Sequence, residues 1–380
     1  MKNQTANVKE PFEPFQISRR RFLLSVAGAS LTPAMASASQ AKRLVTADSL
    51  VRVGLIGRDG HTDVLLDSIP KMPRIRLAAY ARGQAGEDSA WIQEHPACTR
   101  QTHVYEDYRE MLEKEELDVV GVCPPYYQNA EASIQAVRQG IHVLSEKPAA
   151  TNLEDLDRLE REVRQSGVHY SIMLTMRAMP VFQAARMAIR QGAVGEPILI
   201  SSQKSYKYGA ERPWFYKERK TYGGTIPWVG IHALDYMRWV SGQEYAQVAA
   251  YHGNKAHPQA PGCEDHAGLL FRLVNGGTAV CHLDYLRPET APTHGDARLR
   301  IAGREGVLEV RENEDQVHLI SSKGKTGELP LPPAVDLFAA FVAELQGEGQ
   351  HLISADEAFS ITRICLKARE AADSGKWVTL

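Results

Sequence analysis

Between residues 51 and 145, apolar runs of strand length alternate with stretches of helical spacing, and no other feature narrows the fold as much. Val51 to Gly57 is an apolar strand that runs into a glycine turn, and Ile75 to Tyr80 is a second strand. Leu117 to Cys123 is a third, apolar enough to be covered on both faces, and Ile141 to Leu144 is a fourth. Between them Thr62 to Ile69, Asp107 to Lys114 and Ala130 to Gln139 predict helices, the last stopped by Gly140. Strands that alternate with helices pair in parallel through crossovers, so the expected class is α/β with a doubly wound parallel sheet.

Open sheets of this kind bind ligands outside the carboxyl ends of their strands, and two such ends here are unusual. After the first strand comes Gly57-Arg58-Asp59-Gly60-His61-Thr62. A dinucleotide fingerprint uses glycines for the turn, for close approach of the pyrophosphate and for helix packing. Only Gly57 stands in register; Asp59 and Thr62 occupy the other two glycine positions, and Gly60 can rescue the turn. Asp59 puts negative charge where a pyrophosphate would lie. The second strand ends Tyr80-Ala81-Arg82, with no acid to bind ribose hydroxyls. An arginine there accommodates a 2′-phosphate, which favours NADP over NAD. The fourth strand ends His142-Val143-Leu144-Ser145-Glu146-Lys147-Pro148. Proline bars the strand from continuing and holds Lys147 out of the helical region. A lysine fixed there meets a ligand, and burial would lower its pKa into a range useful for proton transfer. The plainer alternative is a solvated ion pair at a strand end.

Downstream, Ala178 to Gln191 predicts a helix, and Pro197 to Lys207 opens a series of strands. These continue at Tyr245 to His252, Ala267 to Leu273, Thr278 to Tyr285, Ala297 to Ile301, Val307 to Val310 and Gln316 to Ile320. Helices follow at Val335 to Leu345 and Ala355 to Ser374, then a closing strand at Trp377 to Leu380. The loop from Tyr206 to Tyr222 carries Lys207, Tyr208, Arg212, Trp214, Tyr216 and Lys217. Those aromatic faces and donors suit a sugar-like ligand or an interface. Gly223-Gly224 then breaks the chain ahead of a helix that bears His232, which can trade a proton near neutral pH. Asp235, three residues on, either orients that histidine or serves as a structural partner.

With 380 residues, 43% of them hydrophobic and 24% charged, the chain has room for two domains. A net charge of −2 offers no electrostatic case for nucleic acid or an anionic membrane surface. No apolar run is long enough to span a bilayer. Five scattered cysteines without a CxxC pair indicate neither a disulfide framework nor a metal site. Residues 1–50 read as an address. Ser18-Arg19-Arg20-Arg21-Phe22-Leu23 resembles the twin-arginine export motif, and the apolar stretch Phe22 to Leu31 and small residues from Ala34 to Ala38 follow it. The expectation is a partnership with the twin-arginine translocation machinery and a mature protein that is periplasmic or otherwise exported.

Val53 to Gly57, Asp118 to Pro125, Gly140 to Val143 and Glu146-Lys147-Pro148 resemble the Gfo/Idh/MocA oxidoreductases, the family of glucose–fructose oxidoreductase and inositol dehydrogenase. The likeness continues through Arg177, Pro180, Gly192 to Gly195, Gly223-Gly224, His232 and Asp235. It extends to His294-Gly295-Asp296, Gly303 to Gly306 and the helix before Trp377-Val378. The resemblance implies three parts: residues 1–50 as signal and linker, 51–170 as a Rossmann-type NAD(P)-binding domain, and 171–380 as a substrate-binding and oligomerisation domain. The last would be an α+β domain with a large open, mostly antiparallel sheet, and the protein a homo-oligomer. NADP or NAD would be bound by Gly57, Arg58, Gly60, Arg82, Pro124, Glu146 and Lys147. Lys147 and His232 would be the catalytic pair. Many sugar dehydrogenases of the family carry an aspartate four residues before that histidine, where this chain has Trp228.

The expected activity is that of an exported NAD(P)-dependent oxidoreductase passing hydride to or from a sugar, polyol or derivative. Two alternatives stay open. One is a glycoside hydrolase or lyase that oxidises its sugar transiently and then restores the nicotinamide. The other is a non-catalytic sugar-binding protein, motivated by Asp59 and Trp228.

Overall fold

The apolar runs of the first region pair into one parallel sheet in the computed structural model, which describes residues 45–210, 212–324 and 326–380. The twin-arginine motif lies outside the described residues. The six strands are β1 (Val51–Ile56), β2 (Ile75–Ala81), β3 (His103–Tyr105), β4 (Val119–Val122), β5 (His142–Ser145) and β6 (Tyr170–Ile172). They lie in the order β3-β2-β1-β4-β5-β6, all parallel. The order reverses between β1 and β4, so the loops that follow these two strands open onto the switch-point crevice. β4 and β5 are buried along their whole length, which is why they read as unbroken apolar runs.

Two expectations need correction. The helix predicted from Thr62 to Ile69 is α-helical only over Asp63–Leu66, followed by a 3-10 turn at Ile69–Lys71. Thr62 makes no capping hydrogen bond, and Pro70 disfavours helical geometry at Ile69. A 14-residue helix, Leu153–Ser166, was not among the expected elements. Its sequence is mostly charged, with Leu156, Leu159 and Val163 as its buried stripe. Asn152 caps it by accepting the Asp155 N–H (2.9 Å), and Gly167 ends it in the left-handed conformation.

The second sheet has nine strands: β7 (Pro197–Lys207), β8 (Tyr245–Gly253), β9 (His266–Leu273), β10 (Thr278–Arg287), β11 (Gly295–Gly303), β12 (Gly306–Arg311), β13 (Gln316–Ser321), β14 (Gly327–Glu328) and β15 (Val378–Thr379). Their order is β14-β13-β12-β11-β7-β10-β9-β8-β15. The β7–β10 pair is parallel and the other pairs are antiparallel. β9 alternates buried Ala267, Leu269, Phe271 and Leu273 with outward residues, because one face is covered and one is open. The helix Ile231–Ser241 packs on the covered face, where the Tyr236 hydroxyl donates to the Gln203 carbonyl oxygen (2.9 Å).

Behind that helix, the buried Arg177 guanidinium clamps three segments together. Its Nε and Nη2 donate to the Asp235 carboxylate (2.9 and 2.7 Å), and its Nη1 donates to Glu357 (2.7 Å). No helix among the described residues is long and apolar enough to cross a membrane.

Candidate active site

Glu146 begins where β5 stops. Its N–H donates to the Val122 carbonyl oxygen (2.7 Å), and the following Lys147–Pro148 peptide is cis. The buried Asn129 amide donates to the carbonyl oxygens of Glu146 (3.1 Å) and Pro148 (2.9 Å), which fixes the bend. The Lys147 side chain is 2% exposed, so the solvated ion pair is not what forms here. Its Nζ donates to the Trp228 carbonyl oxygen at 3.1 Å and stands 2.8 Å from the centroid of the Trp228 indole. Glu146 Oε1 is 3.6 Å away. Burial lowers the Lys147 pKa to about 7; Lys204 and Arg212 push the same way, and Glu146 opposes them. Near neutral pH the ammonium and the free amine therefore coexist, as a proton donor and acceptor requires.

Trp228 sits in a π-helical turn, Ile226–Gly230, that leads into Ile231–Ser241. Such turns concentrate at functional sites because they re-aim side chains and carbonyls. The indole stacks on Tyr126 with ring centres 3.7 Å apart. In place of a carboxylate, this chain thus offers Lys147 a carbonyl oxygen and an aromatic face.

The glycine loop and the Glu146–Pro148 bend interlock. The Glu146 carboxylate accepts the His61 N–H and lies 2.9 Å from His61 Nδ1. Burial alone would raise the Glu146 pKa, but His61 and Lys147 outweigh it and hold the group below its ordinary range. Gly60 has φ +86°, and a Cβ there would run into the Glu146 carboxyl group. Gly57 has φ +74°, and a Cβ there would lie 2.8 Å from Pro124 Cα and strike the Cys123 carbonyl. The loops after β1 and β4 can therefore close together only with glycine at position 57, and the Asp59 N–H ties them by donating to Cys123 (2.8 Å). This narrow, side-chain-free cradle at the switch point fits a dinucleotide.

Asp59 is less of an obstacle to that fit than its residue type implies. Burial and the neighbouring Glu87 and Glu146 carboxylates raise its pKa to about 7 against the pull of Arg58, so near neutrality much of it is protonated. Arg58 is exposed and lies over the Trp91 ring. Arg82 is ion-paired with Glu106, so a 2′-phosphate would have to compete with that carboxylate. A buried acid does lie beyond β2 after all: Glu87, which accepts the Tyr80 hydroxyl.

His232, in the first turn of its helix, is 1% exposed, and neither ring nitrogen has a partner among the described residues. Its ring meets His61 edge-on at 5.6 Å. Burial, Lys147, His61 and Lys204 all push its pKa well below the ordinary value, so the ring is neutral at pH 7. Asp235 does not orient it, because both carboxylate oxygens are committed to Arg177.

A cavity of about 190 Å³ opens beside Lys147. Gly60, His61, Lys147 and Trp228 form one side of it. Tyr206, Arg212, Tyr216, Tyr285 and His294 form the other, while His232 lies behind His61 and does not line it. Sequence reading missed His61 as a partner of Glu146; residues so far apart in the chain carry no signal of that pairing. It also missed Lys204, which is 1% exposed and has Met176 Sδ (3.8 Å) as its hydrogen-bond partner. Here a signal existed: Lys204 shares the inward parity of β7 with Ile200 and Ser202.

Residues 51–174 match the model of the oxidoreductase family with an NAD-binding Rossmann fold, and residues 182–309 match that of the GFO/IDH/MocA C-terminal domain. A solved structure of a provisionally assigned oxidoreductase from Thermotoga maritima superposes with a TM-score of 0.81 at 35% identity, covering 87% of this chain and 100% of that one. The uncharacterized oxidoreductase YrbE of Bacillus subtilis is 26% identical over 229 residues, 60% of this chain and 65% of that protein, just under two thirds of its length. The 1,5-anhydro-D-fructose reductase of Ensifer adhaerens is 27% identical over 275 residues, 70% of this chain and 81% of the relative.

Proposed function

The chain belongs to the GFO/IDH/MocA oxidoreductases, and from that premise we propose that it moves hydride between NAD and a carbon of a sugar or polyol held in the cavity beside Lys147. The observation that carries this reading is Lys147 itself: buried, fixed at a strand end, and balanced between its two protonation states near neutral pH.

NAD, when bound, supplies the hydride chemistry. Gly57, Gly60 and Pro124 would form its cradle, with Arg58 beside it, and Glu146 would brace the loop through His61. In the oxidative direction the neutral Lys147 amine takes the proton from the substrate hydroxyl as that carbon becomes a carbonyl; in reverse, the ammonium returns it. His232, neutral and unpartnered among the described residues, stands behind His61 and does not store a proton near neutral pH. Trp228 and Tyr126 close the wall behind Lys147 and keep water from it.

Export by the twin-arginine route, to the periplasm, is supported by Ser18 to Leu23 and the small-residue tract that follows. Assembly into a homo-oligomer is supported by the open face of the second sheet, where Leu199, Leu270 and Val280 are exposed.

The test is to follow NADH formation when the purified chain is given NAD and a panel of sugars and polyols, and NADH binding by fluorescence. Turnover with at least one of them supports the reading. A chain that binds no dinucleotide overturns it.

A further inference from the structure

The outer wall of the cavity carries a cation, Arg212, that no acid among the described residues pairs with. Among the residues that line the space beside Lys147 there is not one carboxylate. Arg212 projects into it with its guanidinium over the faces of Tyr285 (4.4 Å), Tyr208 and Tyr216 (5.1 Å each). Its Nη2 donates to the Lys207 carbonyl oxygen (3.0 Å), its buried Nε has no partner, and no acidic side chain among the described residues forms an ion pair with it. The contrast is Arg177, which is deeper in the protein and is held by two carboxylates.

Lys204 stands nearby with its Nζ over the Tyr206 ring (4.8 Å) and forms no salt bridge either. Two acids act on it at longer range, Glu312 more strongly than Asp296, and Asp296 is taken up by Arg298 (2.9 and 3.0 Å). The charges act together. After burial, Arg212, Lys204 and Lys207 drive His294 toward its neutral form against Glu289, and Lys204 and Arg212 do the same to Lys147 against Glu146.

A half-buried guanidinium without a counter-ion is costly, and a ligand that brings one recovers the cost. A planar fork held flat by aromatic rings is arranged for two parallel hydrogen bonds, the geometry a carboxylate accepts. The cavity, at about 190 Å³, is smaller than the ~300–1,000 Å³ of drug-sized sites, which favours a single ring or short chain.

We propose that the substrate is a sugar acid, of the uronic or aldonic class, whose carboxylate is held by Arg212 while its reacting hydroxyl faces Lys147. The assignment rests on the oxidoreductase reading above and names the substrate class for that site. Lys204 adds to the field that draws the anion in.

The experiment is calorimetric titration of the full chain, with and without NADH, using D-galacturonate and D-gluconate against D-galactose and sorbitol. D-glucose 6-phosphate and inorganic phosphate serve as further arms. The acids should bind at least about tenfold more tightly than the neutral compounds, the worth of a charge-assisted pair. Arg212→Met should erase that preference and Arg212→Lys should keep part of it. Equal binding of acids and neutral compounds, or a preference that survives in Arg212→Met, overturns the proposal. Tighter binding of the phosphate compounds than of the acids overturns the carboxylate. If neutral sugars are bound and oxidised while the acids are ignored, the anionic substrate falls and the oxidoreductase stands. If the acids show the Arg212-dependent preference on a chain that binds no NADH, the oxidoreductase falls and the anion site stands.

Discussion

On the parallel-sheet side of the cleft the buried ionisable groups are acids: Asp59, Glu87 and Glu146. On the antiparallel-sheet side stand bases, buried Lys204, Arg212 and the exposed His294, with Glu312 and Asp296 acting on Lys204 from behind. Burial drives one member of each wall toward neutrality, raising Asp59 to about 7 and lowering Lys204 to about 8, while His61 and Lys147 keep Glu146 ionised and the surrounding tyrosines favour the charged form of Arg212. Lys147 grows out of the acidic wall but points at the basic one, and both act on it: Glu146 favours its ammonium, while burial, Lys204 and Arg212 favour the amine. The difference teaches that neither region alone sets the proton affinity of the central lysine. The acidic wall supplies its position, burial lowers its pKa most, and the basic wall adds to that shift against Glu146.

Removing the group on which both walls converge should have the largest effect. Lys147→Met should cut turnover by about 10²–10⁴, the usual weight of a general acid–base group, while NADH still binds. Unchanged turnover with the most active substrate would remove Lys147 from the chemistry. The same variant makes a stability prediction of opposite sign. The folded chain holds Lys147 at about 7 against 10.5 for an exposed lysine, so it binds fewer protons than the unfolded chain between those values. That penalty is complete below pH ~7 and fades as the pH rises toward ~10.5. Lys147→Met should therefore raise the thermal midpoint most in mildly acidic buffer and least in strongly alkaline buffer, measured by calorimetry.

A smaller effect sharpens the contribution of the basic wall. Lys204→Met removes a cation that disfavours the Lys147 ammonium, so the Lys147 pKa should rise. The acid limb of the pH–rate profile should move upward by as much as about one pH unit. A limb that stays in place would show that the wall does not reach Lys147. The smallest effect probes the acidic wall. As the pH rises through about 7, Asp59 gains charge beside the dinucleotide cradle, and NADH affinity should weaken a few-fold. Asp59→Asn should flatten that dependence in fluorescence titrations; a slope that persists would assign it to another group.

How much of this was legible in advance differs between the walls. β4 and β5 announce themselves because strands covered on both faces must be apolar at every position. β7 runs over Pro197–Lys207, the span its residue pattern predicts, and the final helix over Ala355–Ser374 likewise. The helix Leu153–Ser166 escaped because only three of its residues are buried, too narrow a stripe amid charge to read as periodicity. Lys147 was identifiable because the proline after it marks a strand end. Asp59 was identifiable as a departure, but its charge state was not, since that depends on Glu87 and Glu146 from other loops.

By itself, then, the order of residues determined the two sheets, the glycine-and-proline bends at their strand ends and the identity of the lysine at the centre, because these follow from local sterics and from which faces must be apolar. Only the tertiary structure decided that His61 holds Glu146, that Trp228 gives Lys147 a carbonyl and a ring in place of a carboxylate, and that Asp235 serves Arg177 rather than His232. It also decided that the cavity's second wall is positive. Those outcomes depend on which side chains meet after burial has removed water from between them, and Coulomb and hydrogen-bond energies at such distances are set by geometry that residues far apart in the chain create together.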